Sequence, residues 1–391
     1  MMRPRRLMLL SVAALVGTIA TTAAMVRLYA GPTQWPDHIS AVAPVIAAPL
    51  MAGNGQPLTR WADRQALLVN PGRVPVQALG GIEQKMNGFH LGDRPVLWIA
   101  SRSNRRHLTN TAGIAVVSVR VLVPAKGISP GALEALARAA HDWTRGSWNW
   151  SQGQYQVWRR RPDVESSLNR ALTSDLGALF SGSGSVVIVN NHGAVLALAT
   201  QSGQSLWEQH ALGRAVLPPM LALATEVPAV RKALEKPHPT WSQIAQAWGA
   251  QGVWQGLQTL GVRVALPKTE VHPSTKTMRA AFSQGSYLAA TPLQLAQSYL
   301  PFVSGGQMVP AFVDPARHPR GHTVKGAFVR VVQQLPSITL EGMRFRVWRP
   351  MGNYAVVIAP NERQIAILEG GWVDATVSVM QLMAEGPRVS P

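Results

Sequence analysis

Five short runs decide what this chain can fold into. "VVIVN" (186–190) and "AVLALAT" (194–200) flank the turn "NHG" and are apolar at nearly every position. A strand with one face in water alternates apolar and polar residues, so unbroken apolar runs demand cover on both faces. Three more runs lie far along the chain: "MRFRVWR" (343–349), "NYAVVIAP" (353–360) and "QIAILEGGW" (364–372). A helical stretch, "VDATVSVMQLMAE" (373–385), closes them, and residues 205–303 between the groups read as mainly helical. Neither strand group can bury itself alone. The order predicts one domain over 163–387, beginning with a helix at 163–180, whose sheet is assembled from both of its ends and covered by helices.

Upstream of that domain the chain changes character. "MMRPRR" is followed by residues 7–26, "LMLLSVAALVGTIATTAAMV", which carry no charge. At 1.5 Å per residue, such a run reaches across a hydrocarbon core of about 30 Å. The flanking arginines predict a cytoplasmic tip and transmembrane anchor over 1–30, in the inner (cytoplasmic) membrane, with the bulk of the chain outside. A cleaved signal peptide is the alternative, because the second half of the run is rich in Ala and Thr. Residues 31–95 are rich in Pro and Gly and read as a linker. Residues 96–162 read as a small α+β module: strands at 96–102 and 113–124, a helix from Ser129 to Trp143, and a hairpin at 147–161. The hairpin alternates Trp148, Trp150, Tyr155 and Val157 with polar residues and ends in Arg159, Arg160 and Arg161. These aromatics are either a sugar-stacking surface or one packed face of a sheet.

Composition excludes several functions. There is no cysteine, which removes thiol chemistry, cysteine-type zinc sites and disulfides. No His-Glu-x-x-His and no phosphate-binding loop motif occurs, and nothing in the sequence calls for a metal or cofactor. The net charge of +18 invites a nucleic-acid reading. Zinc-finger spacing, basic-leucine heptads and RNP-type aromatics are all missing, so anionic lipid or acidic wall polymer is the expected counterpart and nucleic acid is not.

The most specific stretch is "GSYLAATPLQLAQSYLPFVSGGQMVP" (285–310). Its mechanics are legible. Thr291 is placed to cap a helix, Pro292 fits its first position, and Leu293, Ala296, Tyr299 and Leu300 recur at helical spacing. Pro301 should end or kink the last turn, Gly305-Gly306 stops it, and Met308-Val309-Pro310 reads as an extended exit. This stretch resembles the segment of class B penicillin-binding proteins in which a glycine-bounded turn leads into a Thr-Pro-Leu-Gln-Leu-Ala helix and a Gly-Gly before Val-Pro. "GSVVIVNNHGAVLALAT" resembles that family's first hairpin, "NYAVVIAPNERQIAILEGG" its last, and "WGAQGVWQGLQTLGV" (248–262) the helix and Leu-Gly turn before its substrate-facing loop. The resemblance implies an α+β fold of the penicillin-binding/serine β-lactamase type, an α/β sandwich with a central antiparallel sheet covered by helices.

Family members cleave a D-Ala-D-Ala peptide by acyl transfer, with Ser-x-x-Lys, Ser-x-Asn and Lys-Thr/Ser-Gly elements. A serine needs a basic amine one helical turn away to take its proton. No lysine of this chain has serine three positions before it. The matching segment, "LGRAVLP" (212–218), carries Arg214 in the nucleophile's place and Leu217 in the base's. The second element falls on Ser242-Gln243-Ile244, with Ile244 in place of asparagine. The third, which lies on an edge strand in the family, falls on "MRFRVWRPMG". Arg344, Arg346 or Arg349 would keep positive charge there, while Phe345, Val347 and Trp348 add bulk where glycine is needed. A rescue by Ser202 or Ser205 with His210 lacks an acidic residue at recognisable triad spacing. The resemblance thus implies no catalytic residues and a groove bordered by Arg214, Ser242, Arg346, Trp348, Gln284 and Ser286. The expected function is a pseudoenzyme acting as a binding or scaffold subunit in peptidoglycan or envelope polysaccharide assembly, with other envelope-assembly proteins as partners. Two alternatives stay open: an atypical active D,D-transpeptidase, and an anionic glycan-binding protein.

Overall fold

The computed structural model describes residues 38–40, 48–86, 89–133, 147–151, 154–157, 163–179, 183–200, 206, 208–265, 274–314, 319–350, 353–359 and 363–385. They divide between two units, one holding the described residues within 1–47, 61–121 and 145–160, the other those within 48–60, 122–144 and 161–391.

The first unit is built on a six-stranded sheet in the order His38–Ser40, Ser147–Ser151, Gln154–Val157, Ile114–Pro124, Thr59–Val69, Val96–Trp98. Leu67, Val69, Ile82, Val96, Leu108 and Ile114 form its core, with the helices Val76–Lys85 and Arg102–Leu108 contributing Ile82 and Leu108. The linker expected over 31–95 is therefore corrected: it supplies the eleven-residue strand Thr59–Val69 and a ten-residue helix. Arg60, Asp63 and Arg64 hid the strand, whose apolar "ALLV" end is buried while its charged start is exposed or half-buried. The strand expected over 96–102 stops at Trp98, because the Ser101 hydroxyl caps the next helix by accepting from the Asn104 amide at 3.2 Å. In the hairpin, Trp148 and Tyr155 are fully buried, and Trp150 meets Tyr155 edge-on at 4.8 Å. These aromatics make a packed face; Arg159 to Arg161 lie outside the described residues.

In the second unit, the two apolar strand groups join in one antiparallel sheet. Its strands are β1 (Ser185–Asn190), β2 (Val195–Thr200), β3 (Ser337–Leu340), β4 (Met343–Trp348), β5 (Tyr354–Ala359) and β6 (Gln364–Glu369), in the spatial order β2-β1-β6-β5-β4-β3. The strands β1, β5 and β6 are apolar on both faces because both are covered. On one face, Val186, Ile188, Phe345, Val357 and Leu368 pack with helix α1 (Arg170–Leu179), Trp372 and helix α8 (Thr376–Glu385). On the other, Val187, Val356, Ile365 and Ile367 are buried beneath helix α6 (Pro292–Tyr299) and its neighbours. Full burial of each such side chain contributes about 1.5–3 kcal/mol. The helix expected from residue 163 starts only at Arg170: Val164–Glu165 instead pairs in parallel with Leu50–Met51, and the Asn169 carboxamide caps the helix by accepting from the Leu172 amide.

The middle of the chain supplies helices α2 (Leu217–Ala224), α3 (Pro228–Leu234), α4 (Trp241–Thr259, broken at Gly249), α5 (Thr275–Gln284) and α7 (Phe328–Gln334). It also holds a small three-stranded sheet, His210–Ala211, Leu288–Ala290 and Arg263–Val264, that the helical reading of 205–303 did not anticipate. At α6 Thr291 is the cap and Pro292 the first residue, as expected, and Gln294, not singled out in the sequence, completes a reciprocal capping box with bonds of 3.1 and 2.9 Å. A 3-10 turn at Leu300–Phe302 follows, then Gly305 and Gly306 at φ of 70° and 89°. Overall the protein is a mixed α+β fold. No helix among the described residues is long and apolar enough to cross a membrane, and residues 7–26 lie outside them.

Candidate functional site

Arg214 sits in a 3-10 turn, Gly213–Val216, that leads directly into α2. Four interactions fix this turn, and the 285–310 stretch supplies three of them. His210 and Ala211 pair with Ala290 and Ala289, and the Leu212 amide donates to the Leu288 carbonyl at 3.0 Å. The Tyr299 hydroxyl, on α6, donates to the Ala215 carbonyl. Gly285, the left-handed cap of α5, lies so near that a Cβ built on it would stand 1.8 Å from the Gly213 carbonyl oxygen. The fourth comes from β4: the indole of Trp348 donates to the Arg214 carbonyl at 3.1 Å. The stretch quoted for the family resemblance thus acts locally as a clamp on the turn that carries Arg214.

Beneath the turn runs a polar row across one end of the sheet. Tyr354 and Glu369 are direct partners on β5 and β6, and Ser185 begins β1 beside them. The buried Glu369 carboxylate accepts from the Ser185 hydroxyl at 2.9 Å and the Tyr354 hydroxyl at 3.1 Å, and His210 Nδ1 lies 3.2 Å from it. Burial, followed by the charge of Glu369 and the bond to it, pushes the Tyr354 phenol well above the usual tyrosine range. A carboxylate at low solvent exposure is costly unless its oxygens are bonded, and these three groups meet that need. His210 Nε2 is buried with no hydrogen-bond partner among the described residues. Sequence spacing missed this pair because Glu369 comes from the far end of the domain. Only the pairing of the early and late strands brings it within reach of His210.

The expected groove residues are only partly gathered. Arg214 and Trp348 are together. Gln284 and Ser286 flank Gly285 and bond to each other at 3.3 Å. Leu217 is fully buried at the start of α2, and Ile244 is buried on α4. Ser242 is turned to another role: it accepts from Arg279 of α5 at 2.9 Å on an exposed surface. Arg346 donates to the Leu335 carbonyl at the end of α7, Arg344 is exposed, and Arg349 forms an exposed ion pair with Asp374 at 3.0 Å. The edge-strand expectation is corrected. The strand Met343–Trp348 is interior, because β3 pairs along its outer side from Ser337↔Arg346 to Leu340↔Met343. Among the described residues no cluster of three or more His, Asp or Glu could hold a metal ion.

Compared with known proteins, the chain matches no protein-family model and no curated relative.

Proposed function

We propose that this chain is a membrane-anchored, exported pseudoenzyme built on a degenerate transpeptidase-like domain, serving as a binding or scaffold subunit in peptidoglycan or envelope polysaccharide assembly. The observation that carries the reading is the pair Arg214 and Leu217. A guanidinium stays protonated and only donates hydrogen bonds, so it neither attacks a carbonyl nor accepts a proton. Leu217 has no basic atom and is fully buried. The polar row beneath them is bound up in satisfying Glu369, and Trp348 occupies the Arg214 carbonyl. The half-buried positive charge of Arg214 suits an anionic peptide or glycan held by charge rather than by a covalent bond.

One observation favours the reading as an atypical active enzyme. The Glu369 carboxylate lies 3.2 Å from His210 Nδ1, as the acid does beside the histidine in a nucleophilic triad, and Ser202 and Ser205 come a few residues earlier in the sequence, outside the described residues. Intact-mass measurement of the full-length chain after incubation with a β-lactam separates the two. The pseudoenzyme reading expects no adduct. A stoichiometric gain of the drug's mass, mapped to Ser202 or Ser205 and abolished by His210→Ala, would establish the enzyme instead.

A further inference from the structure

The central sheet treats its two edges differently. At β2 the edge is closed: the Val195 amide donates to Phe312 O at 2.9 Å, the Asn169 amide to Leu196 O at 2.7 Å, and the Ser167 hydroxyl to Val195 O at 2.8 Å. At β3 nothing comparable occurs among the described residues. Because the Val347 amide bonds to Pro336 O, the ladder turns the backbone of Ile338 and Leu340 toward β4 and that of Ser337 and Thr339 outward. Ser337, Ile338 and Thr339 are all exposed, Ile338 at 40%. Natural sheets blunt open edges with short strands, lysine, proline or bulges; this strand is short, at four residues, but between 337 and 340 it has no lysine, proline or bulge.

We propose that β3 is a docking edge for an extended segment of a partner protein that alternates acidic and apolar residues. Register fixes that pattern. Ser337 and Thr339 share a face with Arg346 and Arg344, so side chains of an added strand on that face meet positive charge. Ile338 lies on the opposite face with Phe345, where α8 approaches β3, so the alternate side chains meet apolar surface. Main-chain bonds to Ser337 and Thr339 supply affinity, and the two faces supply selectivity. A second copy of this chain is the poorer occupant, because it would bring its own Arg344 and Arg346 to the same face on a chain of net charge +18. The edge would serve this role whether or not the site at Arg214 carries catalysis.

Fluorescence anisotropy of the full-length chain in detergent tests the proposal, with labelled synthetic peptides alternating Val with Glu and Val with Lys. The Val/Glu peptide should bind and the Val/Lys peptide should not. Thr339→Pro removes an outward-facing donor and no ladder bond to β4, and should weaken binding about ten-fold, the effect of one lost hydrogen bond of about 1.4 kcal/mol. Arg344→Glu, at an exposed side chain, should weaken the Val/Glu peptide about five-fold and admit the Val/Lys peptide. Absence of binding, equal binding of both peptides, or binding indifferent to Thr339→Pro in a folded variant would overturn the proposal. So would a dimer in sedimentation that Thr339→Pro dissolves, since a second copy would then be the occupant.

Discussion

The indole Nε1 of Trp348 and the carbonyl of Arg214 meet at 3.1 Å, joining an interior strand of the sheet to the turn that opens α2. In Trp348→Phe the ring packing is largely kept while the donor is lost. A partly buried carbonyl left without its partner costs about 1 kcal/mol or more. Urea denaturation should show a lowered midpoint of that size with an unchanged slope, and an unaltered midpoint would mean that water replaces the indole.

The contact between Gly285 and Gly213 makes a sharper case. Gly285 has φ +72°, and a Cβ there would run into backbone, 1.8 Å from Gly213 O. Gly305 has nearly the same φ, +70°, with nothing within 4 Å of its Cβ position. Gly305→Ala should therefore cost only the left-handed strain, about 1 kcal/mol, and Gly285→Ala clearly more, because the Arg214 turn must shift. Equal midpoints for the two variants in denaturation would refute the clamp.

How much of this was legible in the sequence follows from the range of each interaction. The capping box at Thr291 and Gln294 and the fully apolar runs of β1, β5 and β6 obey local rules and could be read directly. Pairing of the first and last strands followed from burial, since neither group could cover itself. The strand Thr59–Val69 was lost in a Pro/Gly-rich neighbourhood, because its charged start broke the apolar run. β3 was missed for a different reason: its hairpin turns on Glu341-Gly342 rather than on Asn-Gly or Asp-Gly. The His210–Glu369 pair depends on strand order alone, and residue spacing carries no trace of it.

That hairpin turn offers a stabilising substitution. Glu341 and Gly342 have φ of 51° and 78°, the positive pair that a two-residue type I′ turn requires. Asparagine tolerates the left-handed region better than glutamate. Glu341→Asn should raise stability by about 0.5–1 kcal/mol, read as a higher thermal midpoint. A lower midpoint would show that the Glu341 carboxylate makes a contribution beyond the turn.

Two buried phenols make stability depend on alkaline pH. Burial pushes Tyr299 well above its ordinary value, and Tyr354 is raised by burial and then by Glu369. A group with a raised folded value holds its full stabilising effect below its unfolded value, about pH 10 for tyrosine. The effect is lost as pH climbs from there toward the folded values, because the unfolded chain ionises first. Between about pH 9 and pH 11, unfolding free energy should begin to fall, with a slope of up to about 1.4 kcal/mol per pH unit for each tyrosine. Tyr354→Phe and Tyr299→Phe should each flatten that slope, and unchanged slopes would mean that the decline has another origin.

The last prediction concerns rebuilding what the resemblance implies has been lost. Arg214→Ser restores a hydroxyl, and Leu217→Lys places an amine three positions on, at the start of α2. Leu217, however, is fully buried, as are its neighbour Val216 and Met220 three positions on. An ammonium there loses its hydration and either deprotonates or distorts the helix. Leu217→Lys alone should therefore destabilise the chain by about 3 kcal/mol or more. The double variant should remain unreactive, because Trp348 and Tyr299 hold the carbonyls of Arg214 and Ala215 in place and the strand carrying Trp348 has no glycine to admit a substrate backbone. Denaturation measures the first expectation and intact mass after β-lactam exposure the second. A mass increase mapped to the new serine would show instead that the groove still holds the rest of a working acyl-transfer site.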